Sequence, residues 1–306
     1  MKIVTSGSKY IDIDAYAGII AYANLLNLKG IAAKAVSTAK LNESITSSLL
    51  KLNVNLDEYE PINDDEFIII DVSNKEYFDK IVNERKIVEV IDHHTGFEEY
   101  WKNILQQKSR IEFIGSVATI IIEEYEKENL LSSMSKEIAI LLMSAILDNT
   151  LNFKAKVTNE RDVIAYRKLA KIVGDIDNYE EKYFRECQNN IEKNLVNSIE
   201  IDTKTEKICD ILPYAFSQLT VWNKKIIFEN IDIIYKTLNK INEEWMLNLI
   251  SLEDGKSYII ANNECVKIRL ERLFNSTFTN DIMQLDNVWL RKEIIKKARN
   301  MDKDSF

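Results

Sequence analysis

Carboxylate and imidazole side chains follow several apolar segments in the first half of the chain. These residues are Asp12 and Asp14 near the N-terminus, Asp71 after FIII, the run Asp92, His93 and His94 after IVEVI, and Asp148 with Asn149 after a long apolar stretch. The sequence contains two His residues, and they are adjacent. Carboxylates mixed with one or two imidazoles suit Mn²⁺, Mg²⁺ or Co²⁺ better than a structural zinc ion, which usually recruits Cys. The residue types therefore predict a divalent-metal centre.

Gathering these carboxylates at one place costs free energy. Mutual repulsion and lost hydration oppose it by several kcal/mol unless cations neutralise the charges. Two divalent ions about 3.5–4 Å apart can activate a bridging water and neutralise a phosphoryl group during in-line displacement. A single Asp after a strand is more often a turn residue or a helix cap. The joint pattern with both His residues favours metal binding over that alternative.

The elements that must position these residues alternate between strands and helices. Short strands are predicted at 3–5, 33–36, 67–70 and 87–91, with a helix over 15–28 that stops at Gly30. The runs at 67–70 and 87–91 are nearly continuous apolar segments, as expected for strands covered on both faces of a parallel sheet. Ligands bind outside the carboxyl ends of such strands, so the acidic residues are expected at one edge. The sequence predicts an α/β fold with an N-terminal doubly wound parallel sheet.

The rest of the chain predicts further helices and a second domain. Helices are expected over 119–128, 136–147 and 159–173, the last with Thr158 as its N-cap and Gly174 as its stop. A charged helix over 179–197 would connect the domains. Strands at 207–212, 215–220, 245–252 and 257–261, with a helix near 227–238, predict a smaller C-terminal α/β domain with a mixed sheet. The expected bounds are 1–185 for the first domain, 186–196 for the connecting segment and 197–306 for the second domain.

Composition excludes several classes of protein. The chain has 306 residues, of which 46% are hydrophobic and 29% are charged. This size and composition are typical of a globular protein of two domains. It has 7 Gly and 2 Pro, and it contains neither a Walker-type loop nor a dinucleotide Gly motif. The net charge of -9 disfavours binding of long nucleic acid. Three widely spaced Cys residues predict reduced thiols, and with no signal-peptide pattern and no membrane-spanning apolar run we expect a cytoplasmic protein.

These motifs resemble those of the DHH phosphoesterase superfamily, named for the sequence that stands here as Asp92, His93 and His94. VTSGSKYIDIDAYAGIIAYANLL is similar to the first motif, in which a His and then Asp-x-Asp introduce a helix. FIIID matches the second motif and VIDHH the third. SAILDNTLNFKAKVT resembles the fourth motif of manganese-dependent inorganic pyrophosphatases. The resemblance covers essentially the whole chain and implies a DHH domain followed by a DHH-associated phosphate-binding domain.

The C-terminal region indicates the branch of the superfamily. Branches that degrade oligonucleotides carry a Gly-rich GGGH-type motif, which this sequence lacks. LDNVWLRKEIIKK resembles the phosphate-binding SRKKQ-type motif of the pyrophosphatase and exopolyphosphatase branch, and IDTKTEK places Lys204 where that branch has a phosphate-binding Lys. Either basic element alone is also typical of a solvated helix face or strand end. Their occurrence together and in order favours a function in phosphate binding.

The resemblance implies a role for each candidate residue. Asp14, Asp71, His93 and a fourth-motif residue, Asp148 or Asn149, would hold one metal ion, while Asp12 and the bridging Asp71 would hold the other. Asp92 would orient the His pair, and Asp71, Asp92 and His94 are the expected catalytic residues. His94, Lys204, Arg291 and Lys292 would bind the phosphates of the substrate. Mn²⁺ is the expected cofactor, with Mg²⁺ or Co²⁺ as alternatives, and members of this branch tend to be homodimers.

Two positions depart from the family's pattern. The pattern has a His four residues before the first Asp, where this chain has Ser8. Alignment of SAILDNTLNF on the fourth motif without gaps puts Asn149 at the ligand position, and a shift of one residue would restore Asp148. An Asn carbonyl can coordinate a hard cation, but it contributes no charge. Both departures weaken the expected two-metal centre.

Three hypotheses about function follow. The first is a metal-dependent hydrolase of phosphoanhydrides, acting on inorganic pyrophosphate or short polyphosphate. The second is a metal-depleted, non-catalytic homologue that binds phosphate or nucleotide, which the departures at Ser8 and Asn149 motivate. The third is a phosphodiesterase of short oligonucleotides or cyclic dinucleotides, against which the missing Gly-rich motif and the acidic composition count.

Overall fold

A computed structural model of the chain describes residues 1–303, apart from the side chains at positions 226 and 303. The chain divides into two compact units. The first comprises residues 1–153 with 157–180, and the second comprises residues 154–156 with the chain from 181 onward. Within residues 1–303, every helix is too short or too polar to cross a membrane.

The first unit alternates strands and helices, as the sequence predicts. Its strands are β1 (Lys2–Thr5), β2 (Tyr10–Ile11), β3 (Ala33–Ala35), β4 (Lys40–Leu41), β5 (Glu66–Ile70), β6 (Ile87–Asp92) and β7 (Ser109–Ile111). Its helices are α1 (Ile13–Leu28), α2 (Ser47–Leu50), α3 (Glu98–Leu105), α4 (Val117–Lys127), α5 (Lys136–Thr150) and α6 (Glu160–Val173). A further helix, α7 (Tyr179–Lys193), begins at the end of this unit and continues into the second.

The main sheet of the first unit is parallel throughout. Its strand order is β3-β1-β5-β6-β7, and each neighbouring pair runs in the same direction. The apolar side chains of β5, from Phe67 to Ile70, are almost fully buried, as expected for a strand covered on both faces. The strand order reverses between β1 and β5, which is where ligands bind in open sheets of this kind. The predicted parallel α/β sheet is confirmed.

Local capping explains where the helices begin. Asp12 caps α1, and its side chain accepts a hydrogen bond from Ala15 N. The prediction of Thr158 as the cap of the 159–173 helix is wrong. Asn159 caps α6, because its side chain accepts from Arg161 N while Asp162 accepts from Asn159 N in a reciprocal capping box.

The second unit is built on a mixed sheet. Its elements are α8 (Leu195–Asp202), β8 (Lys204–Thr205), β9 (Ala215–Val221), α9 (Lys225–Glu229), α10 (Ile231–Ile241), β10 (Trp245–Ser251), β11 (Lys256–Ile260), α11 (Glu264–Phe274), β12 (Ile282–Leu285) and α12 (Arg291–Lys303). The strand order is β12-β11-β10-β9-β8, with β9 and β10 parallel and the other pairs antiparallel. Alternate residues of β9 and β10 pack into two separate apolar clusters. The predicted mixed sheet is confirmed.

One predicted strand of this unit is wrong. Residues 207–212 form no ladder, and the strand lies earlier, at Lys204–Thr205. Leu212 and its apolar neighbours pack against the cluster that contains Phe216 and Ile294. Over so few residues, a segment that packs onto a sheet face has the same apolar pattern as a buried strand.

Candidate metal centre

The sheet brings the second and third motifs to adjacent strand ends. Asp71 directly follows β5, and Asp92 is the last residue of the neighbouring strand β6. Asp71 has a φ of 64°, a left-handed conformation that is uncommon for a residue other than Gly, and its N–H donates to Ile91 O at 2.8 Å. Such a conformation costs on the order of 1–3 kcal/mol and is frequent at functional sites. The turn places the Asp71 carboxylate beside the residues that follow β6.

Three side chains lie close enough to share one metal ion. One potential ligand atom each from Asp71, His93 and His94 lies within 4.8 Å of the others. His93 Nε2 is 3.1 Å from Asp71 Oδ1 and 3.6 Å from Asp14 Oδ2. The His93 side chain is 1% exposed, whereas that of His94 is 51% exposed. The group is therefore buried on the His93 side and open on the His94 side.

Hydrogen bonds determine which nitrogen each imidazole offers. His93 Nδ1 is 3.1 Å from Ile114 O, and since a carbonyl only accepts, Nδ1 carries the hydrogen. His94 Nδ1 donates in the same way to Asp92 Oδ1 at 2.8 Å. His93 therefore offers Nε2, which lies 3.1 Å from Asp71 Oδ1, whereas for His94 it is Nδ1 that lies 3.9 Å from the same oxygen. This arrangement, with the second nitrogen held by a carbonyl or a carboxylate, is usual for metal-binding His residues.

Asp92 is buried and organises the His pair. Its Oδ1 accepts from His93 N at 2.7 Å and from His94 N at 3.1 Å, in addition to the His94 ring. Burial opposes the charged form, yet the charge and hydrogen bonds of His94 hold the pKa of Asp92 below its usual range. An ionised Asp92 is a pure acceptor and so keeps the hydrogen on His94 Nδ1.

Asp14 lies at the N-terminus of a different helix from its own. Its carboxylate accepts from Ser116 Oγ at 2.7 Å, from Val117 N at 2.9 Å and from Ala118 N at 3.1 Å, at the start of α4. Burial, together with the nearby charge of Asp12, raises the pKa of Asp14 to about 7. A cation near Asp14 would favour its charged form.

The segment at 114–118 was absent from the sequence-based set of site residues. It supplies the carbonyl that orients His93 and the donors that bind Asp14. The signal available in the sequence was Ser116 directly before the apolar run VATIII, a typical N-cap position. That signal locates the start of α4, but no local pattern indicates that the helix start faces Asp14.

The other predicted ligands lie outside the group of three. Asp12 is half-buried at the N-terminus of α1, and Asp148 and Asn149 are half-buried in the last turn of α5. The side chain of Ser8 is exposed. The end of α5 nevertheless comes close to the 114–118 segment, because a Cβ on Gly115 would lie 2.7 Å from Thr150 Cγ2.

The second unit brings two of the predicted phosphate-binding residues to one point. Lys204 of β8 pairs with Phe216 of β9, and Arg291 Nη1 donates to Phe216 O at 3.3 Å. The guanidinium of Arg291 is also held by Asp202, through Nη2 and Oδ1 at 2.8 Å and through the Asp202 carbonyl. Lys292 follows in the first turn of α12 and is half-buried. Lys204 and Arg291 thus meet at the same residue of β9.

The donor set of the first unit fits a divalent transition-metal ion. One carboxylate and two imidazoles lie within 4.8 Å of one another, and many catalytic metal sites have three protein ligands of these types. A metal ion bound there would lie beside Asp71 Oδ1 and His93 Nε2, which are 3.1 Å apart. The side chains present therefore agree with metal binding.

Comparison with known proteins shows which chains this one is similar to. Residues 2–146 match the DHH family, N-terminal domain. The chain is 27% identical to the manganese-dependent inorganic pyrophosphatase of Bacillus subtilis, over 95% of this chain and 96% of that protein. It is 26% identical to a probable manganese-dependent inorganic pyrophosphatase of Bacillus cereus, over 96% of each chain.

Solved structures show the same fold. A putative family II inorganic pyrophosphatase from Methanococcus jannaschii superposes with a TM-score of 0.70 at 22% identity, covering 98% of this chain and 100% of that one. An exopolyphosphatase-related protein from Bacteroides fragilis gives a TM-score of 0.53 at 14% identity, covering 99% and 92%. The first unit thus matches the DHH family, N-terminal domain, and the whole chain is similar to manganese-dependent inorganic pyrophosphatases in sequence and to a putative family II enzyme in fold.

Proposed function

We propose that this chain is a metal-dependent hydrolase of phosphoanhydrides whose substrate is inorganic pyrophosphate or a short polyphosphate. The observation that carries the proposal is the group of Asp71, His93 and His94 at the carboxyl edge of the parallel sheet, beside buried Asp14. The names of the relatives support the substrate, since those proteins are described as manganese-dependent inorganic pyrophosphatases.

The first unit provides the residues that hold the metal and shape the reaction site. We assign Asp71, His93, Asp14 and a residue at the end of α5, Asp148 or Asn149, to metal binding, with Asp12 next to them. When bound, Mn²⁺ or a similar ion supplies Lewis-acid stabilisation of phosphoryl charge and lowers the pKa of a water molecule. Asp92 keeps the hydrogen on His94 Nδ1. Asp71 and the two imidazoles would border the metal ion and the attacking water, which makes Asp71 and His94 our candidates for catalytic residues.

We assign phosphate binding to the basic residues of the second unit. Arg291 offers a planar fork suited to two phosphate oxygens, while Lys204 and Lys292 act as point charges. The ion pair with Asp202 fixes the guanidinium, so it loses little conformational freedom when an anion binds. A small, highly charged anion is the substrate class that such a set recognises.

The test is phosphate release from a panel of substrates with each divalent metal. The proposal expects release from pyrophosphate or short polyphosphate with Mn²⁺ or Co²⁺, and loss of that release on chelation or in Asp71→Ala. Asp64→Asn, which changes an exposed Asp on the same unit, is the control and should keep full activity. Absence of release with every metal and every phosphoanhydride would contradict the proposal.

A second candidate is a phosphate- or nucleotide-binding protein without turnover. The exposed Ser8 and the neutral Asn149 favour it, since both remove ligands that the family's pattern contains. Calorimetry would then show binding of pyrophosphate or nucleotide with no release of phosphate. Short oligonucleotides and cyclic dinucleotides belong on the same panel, because their cleavage would indicate a phosphodiesterase instead.

The same proposal covers partners and location. A net charge of -9 fits a small phosphate compound as the ligand better than long nucleic acid or a membrane surface. The Cys residues at 187, 209 and 265 are free thiols, which fits our proposal of a cytoplasmic protein. We also propose that the chain forms a homodimer, and light scattering would measure this oligomeric state.

A further inference from the structure

We propose that Gln218 and Asn248 are positioning residues that hold the start of α12, and with it Arg291, in the geometry that binds phosphate. The proposal deepens the function stated above, and its meaning for phosphate binding rests on that function. Gln218 lies on β9 and Asn248 on β10, and the two residues are direct partners in the parallel ladder.

Strand β9 contacts Arg291 at both ends of the residue. The backbone N–H of Arg291 donates to Gln218 Oε1 at 2.6 Å, and its guanidinium donates to Phe216 O at 3.3 Å. Gln218 and Phe216 are two positions apart, so their side chains lie on the same face of the sheet. The first N–H groups of a helix have no carbonyl partner within that helix. Gln218 therefore supplies an acceptor that fixes where α12 begins relative to the sheet.

The Gln218 carboxamide is held from a buried position on the next strand. Asn248 has no solvent exposure, and its Nδ2 donates to Gln218 Oε1 at 3.2 Å and to Trp289 O at 2.6 Å. One carboxamide thus binds both the side chain that accepts from Arg291 N and the backbone two residues earlier. Because only the nitrogen of an amide side chain donates, these two acceptors also determine how the Asn248 amide is turned.

Two further side chains bind the same segment. Trp289 N donates to Ser257 Oγ at 2.9 Å, and Leu290 N donates to Glu293 Oε2 at 2.9 Å. Ser257 is buried on β11, so strands β9, β10 and β11 each provide one polar side chain to residues 289–291. The consecutive N–H groups of this segment are all bound by side chains. A segment held in this way loses little conformational freedom when it binds an anion.

Asn248 is not the side chain that stability alone would favour at its position. Its Oδ1 is buried and has no hydrogen-bond partner among the described residues, 1–303. Such an oxygen loses its hydration without gaining a bond, which is unfavourable. A Leu of similar volume would avoid this cost beside the apolar ladder partner Ile259. The role that remains for Asn248 is to fix Gln218 and Trp289.

The experiment compares full-length variants in three measurements. Gln218→Met keeps the length of the side chain and removes the acceptor, while Asn248→Leu keeps the volume and removes the donor. Calorimetric titration of the chelator-treated chain with pyrophosphate should show binding roughly 3–10-fold weaker in each variant, the equivalent of one lost hydrogen bond. KM for pyrophosphate should rise by the same factor while kcat changes little. Amide hydrogen exchange should become faster in residues 288–293 and stay unchanged in β9 and β10.

Two controls separate positioning from general stability. Ser217→Ala removes a buried hydroxyl of β9 that lies on the opposite sheet face from Gln218 and has no hydrogen-bond partner within residues 1–303. This variant should match the unmodified chain in pyrophosphate binding and in exchange. Gln218→Glu keeps an accepting oxygen at the same place, so it should retain the slow exchange of residues 288–293 that Gln218→Met loses.

The possible outcomes distinguish this proposal from the proposed function. Unchanged affinity for pyrophosphate in both Gln218→Met and Asn248→Leu would overturn the positioning role, whether or not the chain hydrolyses pyrophosphate. Faster exchange throughout the second unit in both variants would also overturn it, because general loss of stability would then explain weaker binding. Weaker pyrophosphate binding with faster exchange limited to residues 288–293, in a chain that hydrolyses no phosphoanhydride, would support the positioning role and contradict the proposed hydrolase.

Discussion

His93 Nε2 lies 3.1 Å from Asp71 Oδ1, and both side chains are almost fully buried. The two residues come from neighbouring strand ends, and the contact forms because β5 and β6 are adjacent and parallel. The hydrogen bond from His93 Nδ1 to Ile114 O directs the other nitrogen toward the carboxylate. Asp14 and His94 of the same unit lie next to this pair.

Asp71→Asn should impair phosphate release while the fold remains stable. Asn is among the residues that adopt positive φ most readily, so the backbone at 64° should be retained and the free energy of unfolding should change by less than about 1 kcal/mol. The lost carboxylate charge should abolish phosphate release and weaken metal binding. Urea unfolding and a phosphate assay measure the two effects. A large loss in the free energy of unfolding, with phosphate release retained by the folded variant, would show that Asp71 mainly stabilises the fold.

Asp202→Asn should affect phosphate binding more than turnover. The Asp202 and Arg291 side chains are 19% and 12% exposed, and a hydrogen bond to a charged group contributes about 1.5–3 kcal/mol. Without the carboxylate the guanidinium is less restrained, so KM for pyrophosphate should rise while kcat changes little. Asp210→Asn breaks the exposed pair with Lys207 and is the matched control, for which we expect unchanged stability and unchanged kinetics because solvent screens the pair. Equal effects of both variants on KM would argue against a positioning role for Asp202.

Gly115→Ala should damage the metal centre through its supporting segment. A Cβ at this position would lie 2.5 Å from Asp162 Oδ2 and 2.7 Å from Thr150 Cγ2, so the chain around 114–116 must shift. We expect about 1–3 kcal/mol of lost stability, as for other overpacked positions. Co²⁺ affinity should fall as well, because Ile114 and Ser116 hold His93 and Asp14. In Gly7→Ala the nearest atom is Tyr77 O at 3.4 Å, so this control should show little change in stability.

Acid should destabilise the first unit through an ion-pair network on its surface. Although partial burial opposes ionisation, Arg110 and Arg161 lower the pKa of Glu112 and of Glu123 below their usual value of 4.5. A lowered folded-state pKa means that the network stabilises above about pH 4.5 and that this contribution is lost as the pH falls through the folded-state pKa values. The contribution of this network to the urea midpoint of unfolding should therefore be constant from pH 7 to about 5 and fall below that range.

Removal of one arginine tests the network. Arg161→Met should lower the urea midpoint at pH 7. It should also make the decline below pH 5 shallower, because the pKa values of Glu112 and Glu123 would be lowered less. Solvent screening limits the effect at pH 7 to about 1 kcal/mol or less. Arg185→Met, which removes an exposed partner of Glu181, is the control. A decline of equal steepness in Arg161→Met and in the unmodified chain would exclude these glutamates as its source.

The sequence by itself determined the features that depend on neighbouring residues. Apolar runs before Asp71 and Asp92 predicted buried parallel strands, and Gly174 marked the end of α6, because burial and capping act over a few residues. The same local patterns failed at 207–212, where apolar residues pack on a sheet face without forming a strand. The motifs also predicted a metal site at the edge of the sheet, where Asp71, His93 and His94 come together.

Only the tertiary structure decided how those side chains are used. Asp14 binds the start of α4 more than 100 residues away, Arg291 is held by Asp202, and His94 joins Asp71 and His93 in one group. Each contact joins elements that are distant along the chain, and its geometry depends on strand order and helix packing. Hydrophobic periodicity relates only residues that are close in the sequence. It therefore cannot identify the distant partner of a buried charge, which the folded structure shows.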